Sequence, residues 1–411
     1  RLRRRRVIAV DRPRQDMSRH AGAALPRVLM VTGAYHPEIS SGGEQCRHIA
    51  QQLRGRVDVQ VLTTSVDPSL SRYDTIDGIK VTRIRVDVRS EISKLRAFRR
   101  MAIDLFNLVR RTDIVHLHGY STKNVLVTVI AKMFRKPIVM SLHTAGHDEP
   151  AAIERQGSLA LWAFLSADLY LSVSPGLVDT YLSAGMPVER ILLVPNGIDI
   201  DRFVPASADE RRALRAALGL PLDLPVIAFV GFFSSDKQPR VLFDAWRRLP
   251  VASALMFVGA TRSSYFEVDD TIAPAMAAEA SRQGVADRLK FVGVTHDVPS
   301  HLRAADLFVL PSKREGLPVA LLEAMACGLS CVASRLPGST EAIIEDGSNG
   351  LLVAPGDVAA LTDAIGRLLA DEALRERLGA AARATIAHRY ASGGVADRWL
   401  EAYDLIPALA R

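Results

Sequence analysis

Short apolar runs alternate with helical stretches along almost the whole chain, and the alternation starts afresh near residue 204. RVLMVT (27–32), VDVQVLTT (57–64), IVHLHGY (114–120), PIVMSLHT (137–144), ADLYLSVS (167–174) and ILLVPN (191–196) form the first series, with helical stretches such as 94–110 and 157–166 between them. PVIAFVG (225–231), ALMFVGA (254–260), LKFVG (289–293), DLFVLPS (306–312) and SCVAS (330–334) form the second, each followed by a helical segment. Asp357 is placed to cap a further helix running to about Leu369. Runs this short, apolar with little alternation, indicate parallel strands buried on both faces and linked by helical crossovers. The predicted fold is α/β, with two Rossmann-like domains facing each other across a deep cleft. They span 27–203 and 204–385, joined near PNGIDIDRFVP (195–205), and a C-terminal helix over 386–411 packs back on the first domain. In such sheets ligands bind beyond the carboxyl ends of the strands.

A chain of 411 residues is long enough for two cores of this kind. With 48% apolar and 24% charged residues it is neither a disordered chain nor a coiled coil. Three cysteines cannot staple a chain this size, which excludes a disulfide scaffold and points to a reducing, cytoplasmic compartment. The net charge of +7 suggests nucleic acid until it is located. Residues 1–26 hold eight Arg and two Asp, 27–203 hold 22 basic and 18 acidic residues, and 204–411 hold 22 and 25. Most of the excess therefore sits in a basic tail, read as disordered and dispensable, whose apolar run Val7–Val10 is too short for a signal-peptide core. The longest candidate for a membrane span, Val125–Phe134, is interrupted by Lys132.

The most specific stretch is EGLPVALLEAMACG, from Glu315 to Gly328. Pro318 suits the first turn of a helix, whose N-terminus offers backbone N–H groups and a positive dipole end to a diphosphate. Glu323 falls about one and a half turns into that helix, so both carboxylates can face one ligand and accept hydrogen bonds from its hydroxyls. An E-x7-E spacing alone would mark only two surface acids. Here it comes with Gly42-Gly43, PNGID (195–199), VG…DKQP (230–239) with Lys237, FVG (291–293), AADLFVLPS (304–312), Gly338 and Glu341 in PGSTEAI, and GLLVAPGD (350–357).

Together these resemble the family 4 retaining glycosyltransferases (glycosyl transferases group 1), which have the GT-B fold, over residues 27 to about 390. The resemblance implies transfer of a sugar from a UDP- or GDP-sugar donor to an acceptor hydroxyl, in cell-surface polysaccharide or glycolipid synthesis. It gives Leu317 and Val319 backbone contacts to the diphosphate, Glu315 the donor sugar, Glu323 the ribose, and Val294 the nucleobase. Lys237 would neutralise the diphosphate, and His118 would contact the donor sugar near the reacting carbon. Gly43 would let backbone approach the donor, while Gly42 and His143 are acceptor-side candidates. No metal and no cofactor beyond the nucleotide sugar are implied. One position departs: Phe232 stands where the family usually has Arg, so either Lys237 and the helix terminus suffice, or Arg240 or Arg262 substitutes, or the protein is weak or inactive. A same-fold epimerase or phosphorylase and a degenerate, non-catalytic member stay open.

The remaining features read as structural. His116 and His118 share a strand face, but no Cys or carboxylate completes a metal set around them, and His116 is expected to be a packing residue. Asp199-Ile-Asp201 mimics the Asp-x-Asp of metal-dependent transferases of another fold, but it lies in the connection and reads as loop chemistry. Cys327 and Cys331 flank a helix end and are expected to be small buried residues. In helix 94–110, Leu95, Phe98, Ala102, Leu105 and Val109 are expected to form one core face, with Lys94, Arg96, Arg99 and Arg100 solvated. The alternative is a basic surface for an anionic membrane, giving a peripheral membrane contact and a lipid-linked acceptor.

Overall fold

The computed structural model describes residues 25–38, 41–262 and 268–409, so the basic tail falls outside the described residues except for its last two positions. Two compact units form. One comprises the chain up to Asn196 together with Gly393 onward, and the other runs from Gly197 to Ser392.

The first unit is built on β1 (Arg27–Thr32), β2 (Asp58–Ser65), β3 (Tyr73–Ile76), β4 (Ile79–Arg85), β5 (Ile114–His118), β6 (Ile138–Leu142), β7 (Leu169–Ser172) and β8 (Ile191–Leu193). They lie in the order β3-β4-β2-β1-β5-β6-β7-β8, parallel except for the β3–β4 pair. Every residue of β5, β6 and β7 is buried, as continuous apolar runs require. The sequence reading missed β3 and β4, a hairpin closed by Asp77 and Gly78 with φ of 53° and 79°. Both central residues of this tight turn are left-handed, and Asp-Gly is the pair that tolerates it. The strand order reverses between β1 and β5, so the carboxyl ends of these two strands flank a crevice.

The second unit holds β9 (Val226–Val230), β10 (Ala254–Val258), β11 (Leu289–Gly293), β12 (Leu307–Leu310), β13 (Ser330–Ser334) and β14 (Leu351–Val353). All are parallel, in the order β11-β10-β9-β12-β13-β14, and the reversal falls between β9 and β12. Asp357 caps the helix Val358–Ala370 by accepting from Ala360 N at 2.9 Å. The edge strand β14, three residues long, was not recognised as a strand in the sequence.

The domain boundaries move by seven residues from those expected, to 196/197 and 392/393. The physical reason is a set of hydrogen bonds that hold both chain crossings within the second unit. Ile198 N donates to Tyr390 O at 2.7 Å and Ser392 N to Ile198 O at 2.9 Å. The Arg383 guanidinium donates to the carbonyls of Ile200 and Phe203 at 2.9 and 2.6 Å. The helix Glu372–Arg389 thus belongs to the second unit, whereas Trp399, Tyr403 and Ile406 of Ser392–Leu409 join the core of the first beside Met30 and Val61.

One expected packing face is corrected in part: Leu105 and Val109 are buried as expected, but Leu95 and Phe98 are not. In the helix Glu91–Val109 the buried apolar stripe is Ala97, Met101, Leu105 and Val109, while Leu95 and Phe98 are 62% and 55% exposed. The helix is apolar on two sides, so periodicity alone could not say which side packs.

Candidate functional site

At the β9/β12 crevice two loops are clasped together. The chain leaves β9 through Gly231, Phe232 and Phe233 to Asp236-Lys237, and leaves β12 through Pro311 to Arg314-Glu315. Lys237 Nζ donates to both oxygens of Glu315, at 2.7 and 2.8 Å. Alongside, in the opposite sense, Asp236 accepts from the Arg314 guanidinium and lies 3.4 Å from Lys313 Nζ, while Lys313 N donates to Asp236 O at 2.9 Å. These guanidinium and ammonium partners outweigh burial, which acts to raise the Asp236 carboxyl, and hold it below the usual carboxylate range. Sequence reasoning found Lys237 and Glu315 but missed Asp236 and Arg314. The signal was available as two dipeptides of opposite charge order, Asp-Lys and Arg-Glu, at neighbouring strand ends.

The Glu315 side chain is only 7% exposed and Lys237 22%, so the pair is largely withdrawn from water. Phe232 occupies the position where the resemblance calls for arginine, and its ring centroid lies 5.7 Å from Lys237 Nζ. Arg240 does not stand in for the missing cation, because its guanidinium is bound to Asp244 and Glu279 at 3.0 and 2.8 Å. Arg262 is exposed at the end of a described segment.

Just beyond Glu315, Pro318 is the N-cap of the helix Val319–Ala326, one position earlier than expected. The first N–H groups of a helix have no acceptor inside it, so Val319 and its successor present donors and the positive dipole end. Glu323 stands one turn above Val319. Val294, 56% exposed, follows Gly293 at the end of β11. Three strand spacings separate β11 from β12, about 14 Å, enough for an extended nucleoside diphosphate. Three glycines line this edge at the ends of β9, β10 and β11. At Gly259, φ is 135° and a Cβ would fall 2.2 Å from Gly231 O. No side chain fits there.

In the first unit, His118 ends β5 and His143 directly follows β6. Their rings stack at 5.6 Å with 8° between planes. Both are buried, and among the described residues none of their four ring nitrogens has a hydrogen-bond partner. Burial, followed by the neighbouring histidines, pushes His118 well below its ordinary range, and burial brings His143 down to about 4. Neutral imidazoles with unused donors and acceptors suit a hydroxyl-rich ligand. Behind them His116 bonds Tyr403 Oη and Ser141 Oγ, each at 2.7 Å, so it is a packing residue with a hydrogen-bonded role.

Two residues that the sequence reading passed over organise this end. Asp148 accepts from the backbone N–H of Tyr120, His143 and Thr144 at 2.9, 2.8 and 2.9 Å, tying the loops after β5 and β6 together. Burial works to raise its carboxyl, but the His147 ring and these N–H groups prevail and hold it low. Lys123 lies at the β1/β5 crevice, its Nζ donating to Thr32 O at 2.5 Å and to Thr64 Oγ1 at 3.5 Å. Burial brings its pKa down to about 8. Gly42 and Gly43 fall in the first turn of Ser41–Gln52. A Cβ at Gly42 would meet nothing within 4 Å, so the protein's own packing does not demand glycine there.

The remaining candidates fall outside both crevices. Asp199 Oδ1 accepts from Asp201 N and Arg202 N at 3.1 and 3.0 Å, a local turn. Cys46, Cys327 and Cys331 are buried and unpaired. Among the described residues no group of three or more His, Cys, Asp or Glu is arranged to hold a metal ion. No helix among them is long and apolar enough to cross a membrane.

Comparison with known proteins agrees with this geometry. The family description "Glycosyltransferase Family 4" matches residues 42–202, and "Glycosyl transferases group 1" matches 224–371. A D-inositol 3-phosphate glycosyltransferase of Xylanimonas cellulosilytica is 32% identical over 71% of this chain and 71% of its own. An alpha-maltose-1-phosphate synthase of Mycolicibacterium smegmatis is 28% identical over 93% of this chain and 100% of its own. Among solved structures, Anabaena HepE in complex with UDP and glucose superposes with a TM-score of 0.77 at 21% identity, covering 92% of this chain and 99% of that one. With two Rossmann-like sheets, both family descriptions matched and a relative at this identity, the chain belongs to the family 4 glycosyltransferases and has their GT-B fold.

Proposed function

We propose that this glycosyltransferase moves a sugar from a nucleoside-diphosphate donor, a UDP- or GDP-sugar, to an acceptor hydroxyl with retention at the anomeric carbon. The observation that carries the reading is the Lys237–Glu315 pair beside the N-terminus of Val319–Ala326. An arriving diphosphate competes with Glu315 for the Lys237 ammonium and meets the N–H groups of the helix. Leu317 and Val319 supply backbone contacts, Glu323 takes the ribose hydroxyls and Val294 faces the base. Released from Lys237, the Glu315 carboxylate stabilises positive charge on the sugar as its bond to the diphosphate breaks. The UDP bound in Anabaena HepE supports a uridine donor.

The acceptor oxygen then bonds the anomeric carbon on the face the diphosphate leaves, and its proton passes to a diphosphate oxygen. The products are the glycoside and the nucleoside diphosphate. On the first unit we assign His118 and His143 to sugar hydroxyls, and the backbone at Gly42 and Gly43 to close approach of phosphate or acceptor. Lys123 is a buried cation with no carboxylate bonded to it among the described residues, and an anionic acceptor would compensate its charge. No added metal or cofactor is needed for this chemistry. Cell-surface polysaccharide or glycolipid synthesis in the cytoplasm fits such a reaction.

A panel of nucleotide sugars, with and without candidate acceptors and read by product mass, tests the proposal. Sugar transferred to acceptor supports it. Turnover to an isomeric nucleotide sugar without acceptor would instead identify an epimerase, and phosphate-dependent cleavage of a glycan a phosphorylase.

A further inference from the structure

The first unit exposes an apolar surface that nothing in the transfer chemistry uses. On the helix Glu91–Val109 the side chains of Ile92, Leu95, Phe98, Ile103 and Phe106 are 65%, 62%, 55%, 56% and 43% exposed. At 100° per residue they cover an arc of about 140° that adjoins the buried stripe at Phe98 and turns away from it toward Ile103. The surface continues onto neighbouring helices. Phe106 meets Phe134 edge-on at 5.0 Å, just after the helix Asn124–Met133, which exposes Val129 and Met133 at 49% and 58%. That helix packs on Ser158–Leu165, where Leu159, Trp162 and Leu165 are 69%, 43% and 43% exposed. Together the ten side chains expose on the order of 1,000 Å², against roughly 300–600 Å² for the largest apolar patch on an ordinary monomer.

The charge around this patch is mainly positive, although Glu91 pairs with Lys94 at 2.7 Å and Asp168 lies 3.9 Å from Lys132. Residues 88–111 hold seven basic side chains and two acidic ones, and of the acids Asp104 is buried against Arg72 at 2.7 Å. Arg96, Arg99 and Arg100 are exposed along the apolar arc, and Lys132 and Arg135 close the neighbouring helix. An apolar face bordered by arginine and lysine fits the boundary between acyl chains and anionic headgroups. A soluble protein partner of matched apolar shape would not require a positive excess at the rim.

We infer that the helices Glu91–Val109, Asn124–Met133 and Ser158–Leu165 form a monotopic docking surface that inserts into the interfacial layer of an anionic bilayer. The reading is independent of the sugar-transfer proposal. It replaces the expectation of a purely basic contact by one in which Leu95 and Phe98 enter the membrane.

Trp162 gives a direct readout, because Trp246 and Trp399 are only 5% and 1% exposed. The full chain is mixed with vesicles of phosphatidylcholine containing about one-third phosphatidylglycerol, and with phosphatidylcholine alone, at about 0.15 M salt. The expected result is co-flotation with the anionic vesicles, a blue shift of Trp162 emission and quenching by brominated acyl chains. Leu95→Ser with Phe98→Ser, and separately Arg96→Gln with Arg99→Gln, should each lower vesicle partitioning at least tenfold. Far-UV circular dichroism and turnover with a water-soluble acceptor should be unchanged, which separates docking from both folding and catalysis. Equal partitioning of wild type and variants would overturn the inference, as would binding without any change at Trp162. So would a dimer in sedimentation that the Leu95→Ser, Phe98→Ser protein loses while vesicles are not bound, since a second copy would then cover the face.

Discussion

Replacing Lys237 with methionine removes the cation from a carboxylate that is 93% withdrawn from solvent and bonded through both oxygens, at 2.7 and 2.8 Å. Breaking a buried pair by deleting one partner costs about 3–5 kcal/mol, because the other charge is left uncompensated. Lys237 is partly open to water, which can replace some of its hydrogen bonding, so we expect a loss of about 2–4 kcal/mol. For a unit the size of Gly197–Ser392 that corresponds to a fall in Tm of about 5–15 °C. The Asp236–Arg314 contact survives and should keep the change local. Adding Glu315→Gln removes the orphaned charge, so the double variant should regain most of the lost stability. Calorimetry reads the stability, and isothermal titration with nucleoside diphosphate reads the ligand. Losing a charge-assisted hydrogen bond should weaken binding by about 10- to 150-fold in both the single and the double variant. The double variant should stay inactive at wild-type stability. A Lys237→Met protein that melts with the wild type, or a double variant as unstable as the single, would show that the Glu315 charge does not depend on Lys237.

Protonation should loosen the first unit at mildly acid pH. Burial holds His116 at about 3 and His143 at about 4, below the ~6.5 of an unfolded histidine. The unfolded chain therefore binds more protons between those values, so stability rises with pH across that window and is lost as pH falls through it. Each imidazole contributes a slope of ~1.4 kcal/mol per pH unit there, and chemical denaturation at pH 7.5 and 5.0 would show it. No such loss would place these rings in contact with water. Asp148→Asn should turn an acceptor of three backbone N–H groups into one that presents its amide to at least one of them, costing about 1–3 kcal/mol. Its kcat should fall further than its stability, because the loops bearing His118 and His143 lose their tie. Equal loss of both would make Asp148 structural only. Gly259→Ala should destabilise the second unit by more than ~3 kcal/mol, through a clash with Gly231 O that neither backbone can relieve cheaply. Soluble, wild-type-like expression of that variant would contradict the packing described.

Most of the strands legible in the sequence are buried on both faces, with the edge strand β11, only partly buried, an exception. Continuous apolar runs such as IVHLH and SCVAS have no competing reading once helices flank them. The β3–β4 hairpin was missed because its strands alternate and end at an Asp-Gly turn, a signal of period two inside a pattern of parallel runs. The helix 91–109 was recognised, but its orientation was not, since two of its sides are apolar and only tertiary contact selects one. In the site, residues with a fixed place in a motif, such as Glu315 and Lys237, could be named in advance. Asp148, Asp236 and Lys123 act through partners far along the chain or through backbone groups. No local spacing marks Asp148 or Lys123, and the Asp236-Lys237 dipeptide has meaning only beside Arg314-Glu315.

Proton NMR of the first-formed product shows whether a sugar leaves the nucleotide diphosphate with its anomeric configuration kept. With an α-linked UDP- or GDP-sugar and the acceptor that the donor panel selects, the new glycoside should show the small anomeric coupling of an α-linked gluco- or galacto-configured product, formed in step with nucleoside diphosphate. A β-linked product would exclude retention, and a glycoside formed at the wild-type rate by Glu315→Gln would exclude Glu315 from the chemistry.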